Sequence, residues 1–182
     1  MLTQPGWQTK VSNRLARAEQ TVQVMIARDM IRRIRELSRA TKELYEKIAA
    51  LVGQVAPQLL AEPGIGVLLA AKFIGEIAGV NRFSTDSQLA RMSGCAPIPV
   101  SSGRSDRHRL DPGGNRRLNS AFYMLAILRM REDPRTAVYI ARQRANGKTK
   151  KQAIRNLKRH LVRRVYHLLS DPQNVSTMIC LT

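Results

Sequence analysis

The chain has 182 residues, which is enough for one modest core or for a small domain beside a long helical element. Its 31 Lys and Arg residues against 13 Asp and Glu give a formal net charge of +18. This balance predicts binding to polyanions, with nucleic acid ahead of an anionic membrane surface. The charge is uneven, because residues 97–169 hold 18 Lys and Arg but only 4 Asp and Glu, so we expect the basic surface in the second half.

The cysteines and the hydropathy pattern exclude several classes of protein. Cys95 and Cys180 are far apart and neither has a partner at metal-ligand spacing, which argues against a disulfide framework and against structural zinc. The longest apolar run, VLLAAKFIGEIAGV, is interrupted by Lys72 and Glu76, and the N-terminus has no apolar signal-peptide core. We expect a cytoplasmic protein with no membrane partner.

The first strong pattern in the chain is a heptad seam. It follows a poorly patterned segment at residues 1–20, in which Pro5-Gly6 predicts a loop. Leucine-rich d positions with β-branched a positions favour a parallel two-stranded coil, so residues 21–56 are predicted to form a dimerisation helix. The alternative is an amphipathic helix packed on its own domain, because e positions also carry apolar side chains. The seam residues are Met30, Ile34, Leu37, Thr41, Leu44, Ile48, Leu51 and Val55, and the e positions are Ile31, Tyr45 and Val52.

A proline ends this helix and a glycine turn follows it. Pro57 cannot continue the helix, and the P-G-I-G turn at residues 63–66 is expected to join two short helices in a helix-hairpin-helix-like arrangement. Gly64 and Gly66 would leave amide N–H groups uncovered at a helix N-terminus, where they can bind a DNA phosphate beside Lys72. A packing turn without a ligand is the alternative.

The rest of the chain predicts a compact helical domain over residues 57–170, followed by a tail at residues 171–182. Turn and capping residues predict helices at residues 85–92, 116–130 with Asn115 as N-cap, 135–145 and 148–169. The last helix has one apolar face, and the basic remainder is predicted to follow nucleic-acid phosphates or to be a solvated surface. The basic residues predicted to bind are Arg155, Lys158, Arg159 and Arg163. The predicted fold class is therefore all-α.

One polar stretch, PVSSGRSDRHRLDPGGNRRLN at residues 99–119, has two possible meanings. Serine and glycine beside charged residues are ordinary in a solvated turn. The same residue types also suit a phosphate site with a nucleophilic serine, because arginines can neutralise the charge that develops on phosphoryl oxygens. The residues alone leave both alternatives open.

Residues from roughly 30 to 169 resemble the C-terminal domain of bacterial insertion-sequence transposases, the bridge-RNA-guided recombinases that combine a RuvC-like DEDD domain with a serine-bearing domain. The P-G-I-G turn, the SGCAP segment, the S-G loop and the GGNRRLN helix start occur in the order and spacing of that family. The resemblance implies a DNA-binding domain whose serine before glycine, Ser102, attacks a phosphodiester, with Ser101 as the less favoured neighbour. Around that serine, Arg104, Arg107 and Arg109 can neutralise the charge that develops on the phosphoryl oxygens, so they are predicted catalytic residues, whereas Arg116 and Arg117 are predicted to bind nucleic acid.

The resemblance further implies partners and one missing component. Expected partners are double-stranded DNA, a guide RNA, full-length transposase and a second copy of the chain, in a bacterial, nucleoid-associated setting. Family members begin with a domain whose four acidic residues bind magnesium, whereas the acidic residues near this N-terminus belong to the coil: Asp29, Glu36, Glu43 and Glu46. We therefore expect no metal or cofactor in this chain, magnesium only with a separate DEDD domain, and no catalysis by the chain alone. The alternative is a non-catalytic dimeric remnant that binds DNA or RNA.

Overall fold

The computed structural model describes residues 5–102, 105–109 and 113–170, with the backbone alone at Pro5 and at residues 99–102 and 105–109. The predicted all-α class is confirmed, since α-helices supply most of the buried core, and one short β-hairpin is added to it. The elements are α1 (Pro5–Arg17), α2 (Val22–Val55), α3 (Pro57–Leu60), α4 (Val67–Ile77), a 3₁₀ turn (Val80–Arg82), α5 (Asp86–Met92), β1 (Ile98–Ser102), β2 (Ser105–Arg109), α6 (Arg116–Glu132), α7 (Pro134–Ala145) and α8 (Lys150–Ser170).

Two compact units divide the chain between Ile48 and Ala49, inside α2. In the first unit, the Arg35 guanidinium donates a hydrogen bond to the Gln8 carbonyl at 3.2 Å, which joins α2 to α1. The loop predicted at Pro5-Gly6 was wrong, because the fixed φ of proline suits the first turn of a helix and Pro5 begins α1.

The heptad seam within the first unit is exposed along its d positions. Met30, Leu37 and Leu44 have 60%, 68% and 59% of their surface exposed, whereas Ile31 at an e position is buried. Thr41 bonds through its hydroxyl to the Leu37 carbonyl of its own helix at 2.7 Å. A row of exposed leucines is unusual on a single chain, and the coiled-coil dimer stays a prediction.

The second unit is a helical core in which α4, α6 and α8 supply most of the buried apolar side chains. The Phe73 and Phe122 rings are fully buried and contact each other, with centroids 4.7 Å apart, between α4 and α6. From α8, the apolar face predicted by periodicity is buried: Ile154, Leu157, Leu161 and Val165. Burial of this face stabilises the unit by roughly 25 cal/mol per Å² of apolar surface removed from water.

The helix ends in this unit follow the capping chemistry that the sequence predicts. Pro57 lies in the first turn of α3 immediately after α2 stops. The Thr85 hydroxyl accepts from the Gln88 N–H at the start of α5, and the Asn115 side chain accepts from two amides at the start of α6. Asp133 caps α7 in the same way.

Two local predictions are revised by the structure. The P-G-I-G turn does separate two helices, but the first, α3, is a single turn of four residues, and the helix-hairpin-helix comparison stays a prediction. No strand was predicted in the polar stretch at residues 99–119, yet β1 and β2 pair as an antiparallel hairpin, hereafter the serine hairpin. Ser102 pairs with Ser105, so two residues, Gly103 and Arg104 in the sequence, separate the strands. A Gly-X pair is a known signal for such hairpins.

Among the helices that the structure describes, none combines the length and the apolar composition that crossing a bilayer would require.

Candidate nucleic-acid site around the serine hairpin

The serine hairpin brings several of the predicted site residues into one element. Ser101 pairs with Asp106 and Ser102 with Ser105, while Arg107 and Arg109 on β2 pair with Val100 and Ile98 on β1. The backbone register therefore places the predicted nucleophile and two of its three predicted arginines on adjacent hydrogen-bonded strands. The third, Arg104, lies outside the described residues, as does the predicted tail at residues 171–182.

A contact between two glycines closes the base of the serine hairpin. Gly94 follows α5 with φ of +62°, a conformation that favours glycine. Gly114, just before α6, lies so close to it that a Cβ added there would be 2.3 Å from the Gly94 nitrogen and 2.5 Å from its Cα. The Asn115 N–H also donates to the Met92 carbonyl at 2.6 Å. The two segments that lead into and out of the hairpin are thus held together by backbone contacts.

Asn115 connects this base to the start of α6 and to α4. Its side-chain oxygen accepts from the N–H groups of Arg117 and Leu118, at 2.9 and 3.0 Å, as an N-cap. Its side-chain nitrogen donates to the Glu76 carboxylate on α4 at 2.7 Å, so both the oxygen and the nitrogen of the Asn115 amide form hydrogen bonds. The asparagine in the GGNRRLN motif therefore fixes the position of α6 beside the hairpin.

Asn119, one turn further along α6, links the base to a buried lysine. Its amide nitrogen donates to the carbonyls of Ser93 and Gly94 at 3.0 and 2.9 Å. Its amide oxygen accepts from Lys158 Nζ at 2.6 Å. Lys158, on α8, is only 5% exposed. These partners satisfy polar groups that would be costly to bury unpaired.

The placement of Lys158 corrects the sequence-based assignment of this residue to a DNA-binding surface. Lys158 lies on the buried face of α8, one turn from Ile154 and from Val162, and its ammonium group points into the protein. Burial lowers the pKa of Lys158, with the nearby thiol of Cys95 opposing the change. Burial also raises the pKa of Cys95 itself. Lys158 is thus a structural residue beneath the hairpin.

Arg159 and Arg163 on α8 are engaged by an acidic residue of α5. Their guanidinium nitrogens lie 2.8 and 3.0 Å from Asp86 Oδ2, and Arg159 also donates to the Ser87 hydroxyl at 3.0 Å. The hydrogen bond from Arg159, assisted by Arg163, lowers the pKa of Asp86 to about 2. These two arginines hold α5 against α8, and only Arg163 keeps a largely exposed side chain, at 59%.

Other predicted phosphate contacts lie on exposed surface of the second unit. Arg116 and Arg117 begin α6, Arg155 lies on α8 and Lys72 on α4, and all four residues are exposed. Arg117 lies 3.5 Å from Glu76, but 81% of its side chain remains accessible, so this pair is weak. Arg116, Lys72 and Arg155 are in no ion pair that the described residues form.

The P-G-I-G turn is explained first by packing. Gly64 has φ of +80°, and a Cβ there would lie 3.3 Å from side-chain atoms of Leu125 and Arg129 on α6. The Glu62 carboxylate just before the turn receives hydrogen bonds from Arg129 and from Arg164, and these lower its pKa although burial opposes the change. Gly66, by contrast, is the N-cap of α4, a Cβ there would have open space around it, and its carbonyl accepts from the Leu69 N–H at 3.1 Å.

Sequence reasoning missed the residues that build the base of the hairpin. Gly94, Asn119 and Glu76 were given no role, and Lys158 was given a surface role. Periodicity did carry a signal for Lys158, because it shares the spacing of Ile154 and Leu161 on the buried stripe. Within the described part of the chain, no group of three or more His, Cys, Asp or Glu residues is placed to hold a metal ion.

Comparison with known proteins identifies the domain that contains this site. Residues 56–141 match the Transposase IS116/IS110/IS902 family. These 86 of the 182 residues form a domain of that transposase family. The serine hairpin, its glycine base and the start of α6 all lie inside the matched residues.

Individual relatives are proteins of insertion elements. The chain is 34% identical over 145 residues to the 43.6 kDa protein of insertion element IS110 from Streptomyces coelicolor, covering 74% of this chain and 36% of that protein. It is 35% identical over 115 residues to the 42 kDa protein of IS900 from Mycobacterium paratuberculosis, covering 62% and 29%. It is 32% identical over 110 residues to the 44.8 kDa protein of IS116 from Streptomyces clavuligerus, covering 60% of this chain and 28% of that protein. The chain thus spans about a third of the length of these relatives.

Proposed function

We propose that this transposase-family chain binds double-stranded DNA and that Ser102 attacks a DNA phosphodiester when a DEDD nuclease domain completes the site. The observation that carries the proposal is the base of the serine hairpin. The glycine contact, Asn115 and the Lys158–Asn119 pair hold both ends of the segment that contains Ser102. A rigid support of this kind suits a group that must be placed against a reacting phosphorus atom.

The reaction we propose is a transesterification. The Ser102 hydroxyl gives up its proton, its oxygen forms a bond to phosphorus, and the bond from phosphorus to one deoxyribose oxygen breaks, so that this oxygen leaves and takes up a proton. Negative charge on the phosphoryl oxygens would be neutralised by Arg107 and Arg109 of β2, together with Arg104. Magnesium bound by the acidic domain would lower the pKa of the attacking hydroxyl.

Trapping the covalent adduct tests the catalytic part of the proposal. The chain alone should bind DNA without forming an adduct. Adding the DEDD domain, guide RNA, target DNA and magnesium should yield a protein–DNA species that survives denaturing gel electrophoresis. Ser102→Ala should abolish that species with DNA affinity nearly unchanged, and Ser101→Ala is the matched control. An adduct that persists in Ser102→Ala would refute Ser102 as the nucleophile.

Salt dependence tests the DNA-binding part of the proposal separately. We propose that Lys72, Arg116, Arg117, Arg155 and Arg163 bind phosphates, because they keep exposed cationic side chains on the second unit. Charge reversal of Arg116, Arg155 and Arg163 should weaken duplex binding and reduce the slope of log affinity against log salt by roughly 0.9 for each phosphate that is no longer neutralised. The same reversal at Arg39 on α2 is a control, and equal effects would contradict the assignment.

We also propose that the chain forms a homodimer through α2, and that this pairing extends to full-length transposase. The exposed row of Met30, Leu37 and Leu44 supports this proposal, because a coiled coil buries d positions. Replacing Leu37 and Leu44 with Lys should give a monomer in sedimentation experiments. A dimer that survives this change would place the interface elsewhere.

A further inference from the structure

A groove of about 810 Å³ lies in the second unit, and none of its lining residues belongs to the serine hairpin. It is lined by side chains of α6, α7 and α8 and by residues 61–63, which lead into the P-G-I-G turn. Thr136 and Leu157 are among the lining residues, and both are buried. This volume lies within the range of sites that hold small molecules, so the groove can hold a ligand of nucleotide size.

The groove has more positive charge than its own acidic residues neutralise. Among the lining residues, Glu62 accepts from Arg129 and Arg164, so these two cations already have a partner. On α7, Arg135 and Arg142 both line the groove and are exposed, and no ion pair among the described residues includes either side chain. Asp133 also lines the groove, two residues before Arg135. Its carboxylate accepts hydrogen bonds from the Thr136 hydroxyl and from the Arg135 backbone N–H, and it forms no ion pair with the Arg135 side chain.

Aromatic rings line the groove beside the arginines that form no ion pair with a described residue. Tyr139 lies between Arg135 and Arg142 on one face of α7, and its ring meets the ring of His160 on α8 edge to face, at 5.5 Å between centroids. The Arg142 guanidinium lies 5.8 Å from the centre of the Tyr139 ring. Desolvation, followed by the nearby Arg163 and Arg159, lowers the pKa of His160. Flat rings beside cations are the combination that binds unpaired bases and their phosphates.

We propose that this groove binds an unpaired segment of a nucleic-acid strand, with phosphates on Arg135 and Arg142 and a base against the rings of Tyr139 and His160. A duplex fits less well, because its stacked and paired bases offer no free ring face to the groove. The inference rests on the proposed function and deepens it, since it assigns an unpaired-strand site to the domain proposed to bind DNA.

The charged part of the groove can be tested with a matched pair of variants. Arg135→Gln with Arg142→Gln removes two cations from the groove, whereas Arg131→Gln with Arg144→Gln removes two exposed cations from α6 and α7 that do not line it. Binding of fluorescein-labelled oligo(dT) and oligo(U) is measured by fluorescence anisotropy. The groove variant should lose roughly tenfold in affinity and about 1.4 in the salt slope, since two phosphates of a single strand are no longer neutralised. Equal losses in both variants would overturn the proposal.

The aromatic part is tested by a base-specific signal. An oligonucleotide that contains 2-aminopurine should lose fluorescence on binding if the base stacks on the protein. Tyr139→Leu should remove this quenching and weaken binding at least fivefold, whereas Tyr123→Leu, at an exposed position on α6, should change neither. Quenching that is unchanged in Tyr139→Leu would overturn the stacking role.

The two nucleic acids and the two proposals are separated by the same measurements. Binding of oligo(dT) above oligo(U) would identify a displaced DNA strand, and the reverse order would identify an RNA; either result, if sensitive to the groove variant, supports an unpaired strand as ligand. Duplex binding that survives in the groove variant, with no loss for either oligonucleotide, would overturn the groove and leave the proposed function intact. Loss of duplex binding in the Arg116, Arg155 and Arg163 variant concerns the proposed function alone.

Discussion

The contact between Gly114 and Gly94 predicts a large effect from adding a single methyl group. In Gly114→Ala, the new Cβ would lie 2.3 Å from the Gly94 nitrogen and 3.0 Å from the Met92 carbonyl oxygen. These are backbone atoms, so no side-chain rotation can relieve the overlap, and the start of α6 has to move. Movement at this point also stretches the 2.6 Å bond from the Asn115 N–H to Met92.

The expected magnitude follows from these two consequences. Overpacking a well-packed site costs about 1–3 kcal/mol. Loss of a buried hydrogen bond adds about 0.5–1.5 kcal/mol. We therefore expect Gly114→Ala to lower the free energy of unfolding by about 2–4 kcal/mol, which corresponds to a fall in Tm of roughly 2–4 °C for each kcal/mol in a chain of this size.

Urea denaturation followed by far-ultraviolet circular dichroism measures this change. Gly75→Ala is the matched control, because Gly75 lies exposed inside α4 and a Cβ there has no atom within 4 Å. The control should gain up to about 1 kcal/mol, since alanine favours the helix. A Gly114→Ala protein within about 0.5 kcal/mol of the unmodified chain, the range of ordinary surface substitutions, would refute the reasoning.

Three further predictions concern the ion pair of Asp86, the buried lysine and the buried thiol. Because the folded-state pKa of Asp86 is about 2, below its ordinary 3.8, its ion pairs stabilise the fold above pH 3.8 and are lost as pH falls towards 2. The free energy of unfolding should therefore fall by about 1–2 kcal/mol less on acidification in Asp86→Asn than in the unmodified chain, measured by denaturation at several pH values. Asn119→Leu should cost at least about 3 kcal/mol, because it leaves the Lys158 ammonium buried without its partner, and adding Lys158→Met should restore part of that loss. The buried Cys95 thiol, whose pKa is raised, should react much more slowly with a thiol reagent in the folded chain than in urea, measured in a Cys180→Ser background; equal rates would contradict its burial.

Local chemistry in the sequence was sufficient to predict most helix boundaries. Proline at position 57 and capping side chains at Thr85, Asn115 and Asp133 act within a few residues of the helix ends that they set. The buried stripe of α8 was predictable for the same reason, because its period is a property of the helix itself. Pro5 was misread because a proline that begins a helix and one that interrupts it look alike without the residues around them.

The base of the serine hairpin depends on contacts that local reasoning does not reach. Lys158 and its partner Asn119 are 39 residues apart, and a lysine is normally assigned to the surface by residue type. Likewise, the sequence contains Gly94 and Gly114 but does not indicate that their backbones meet. Ser101 and Ser102 could be proposed as site residues only through the family resemblance, since their own composition fits an ordinary turn equally well.

A backbone hydrogen bond joins residues 92 and 115 and so holds the two ends of the intervening segment together. We call this segment the cassette, because its length and sequence can be changed while its ends stay fixed. The entropy of closing a loop grows only slowly with its length, by roughly 0.6 kcal/mol for each doubling, once the two ends are fixed. The core side chains of α4, α6 and α8 lie outside this cassette. A longer, shorter or foreign peptide between Ala96 and Gly113 should therefore cost little in loop-closure entropy.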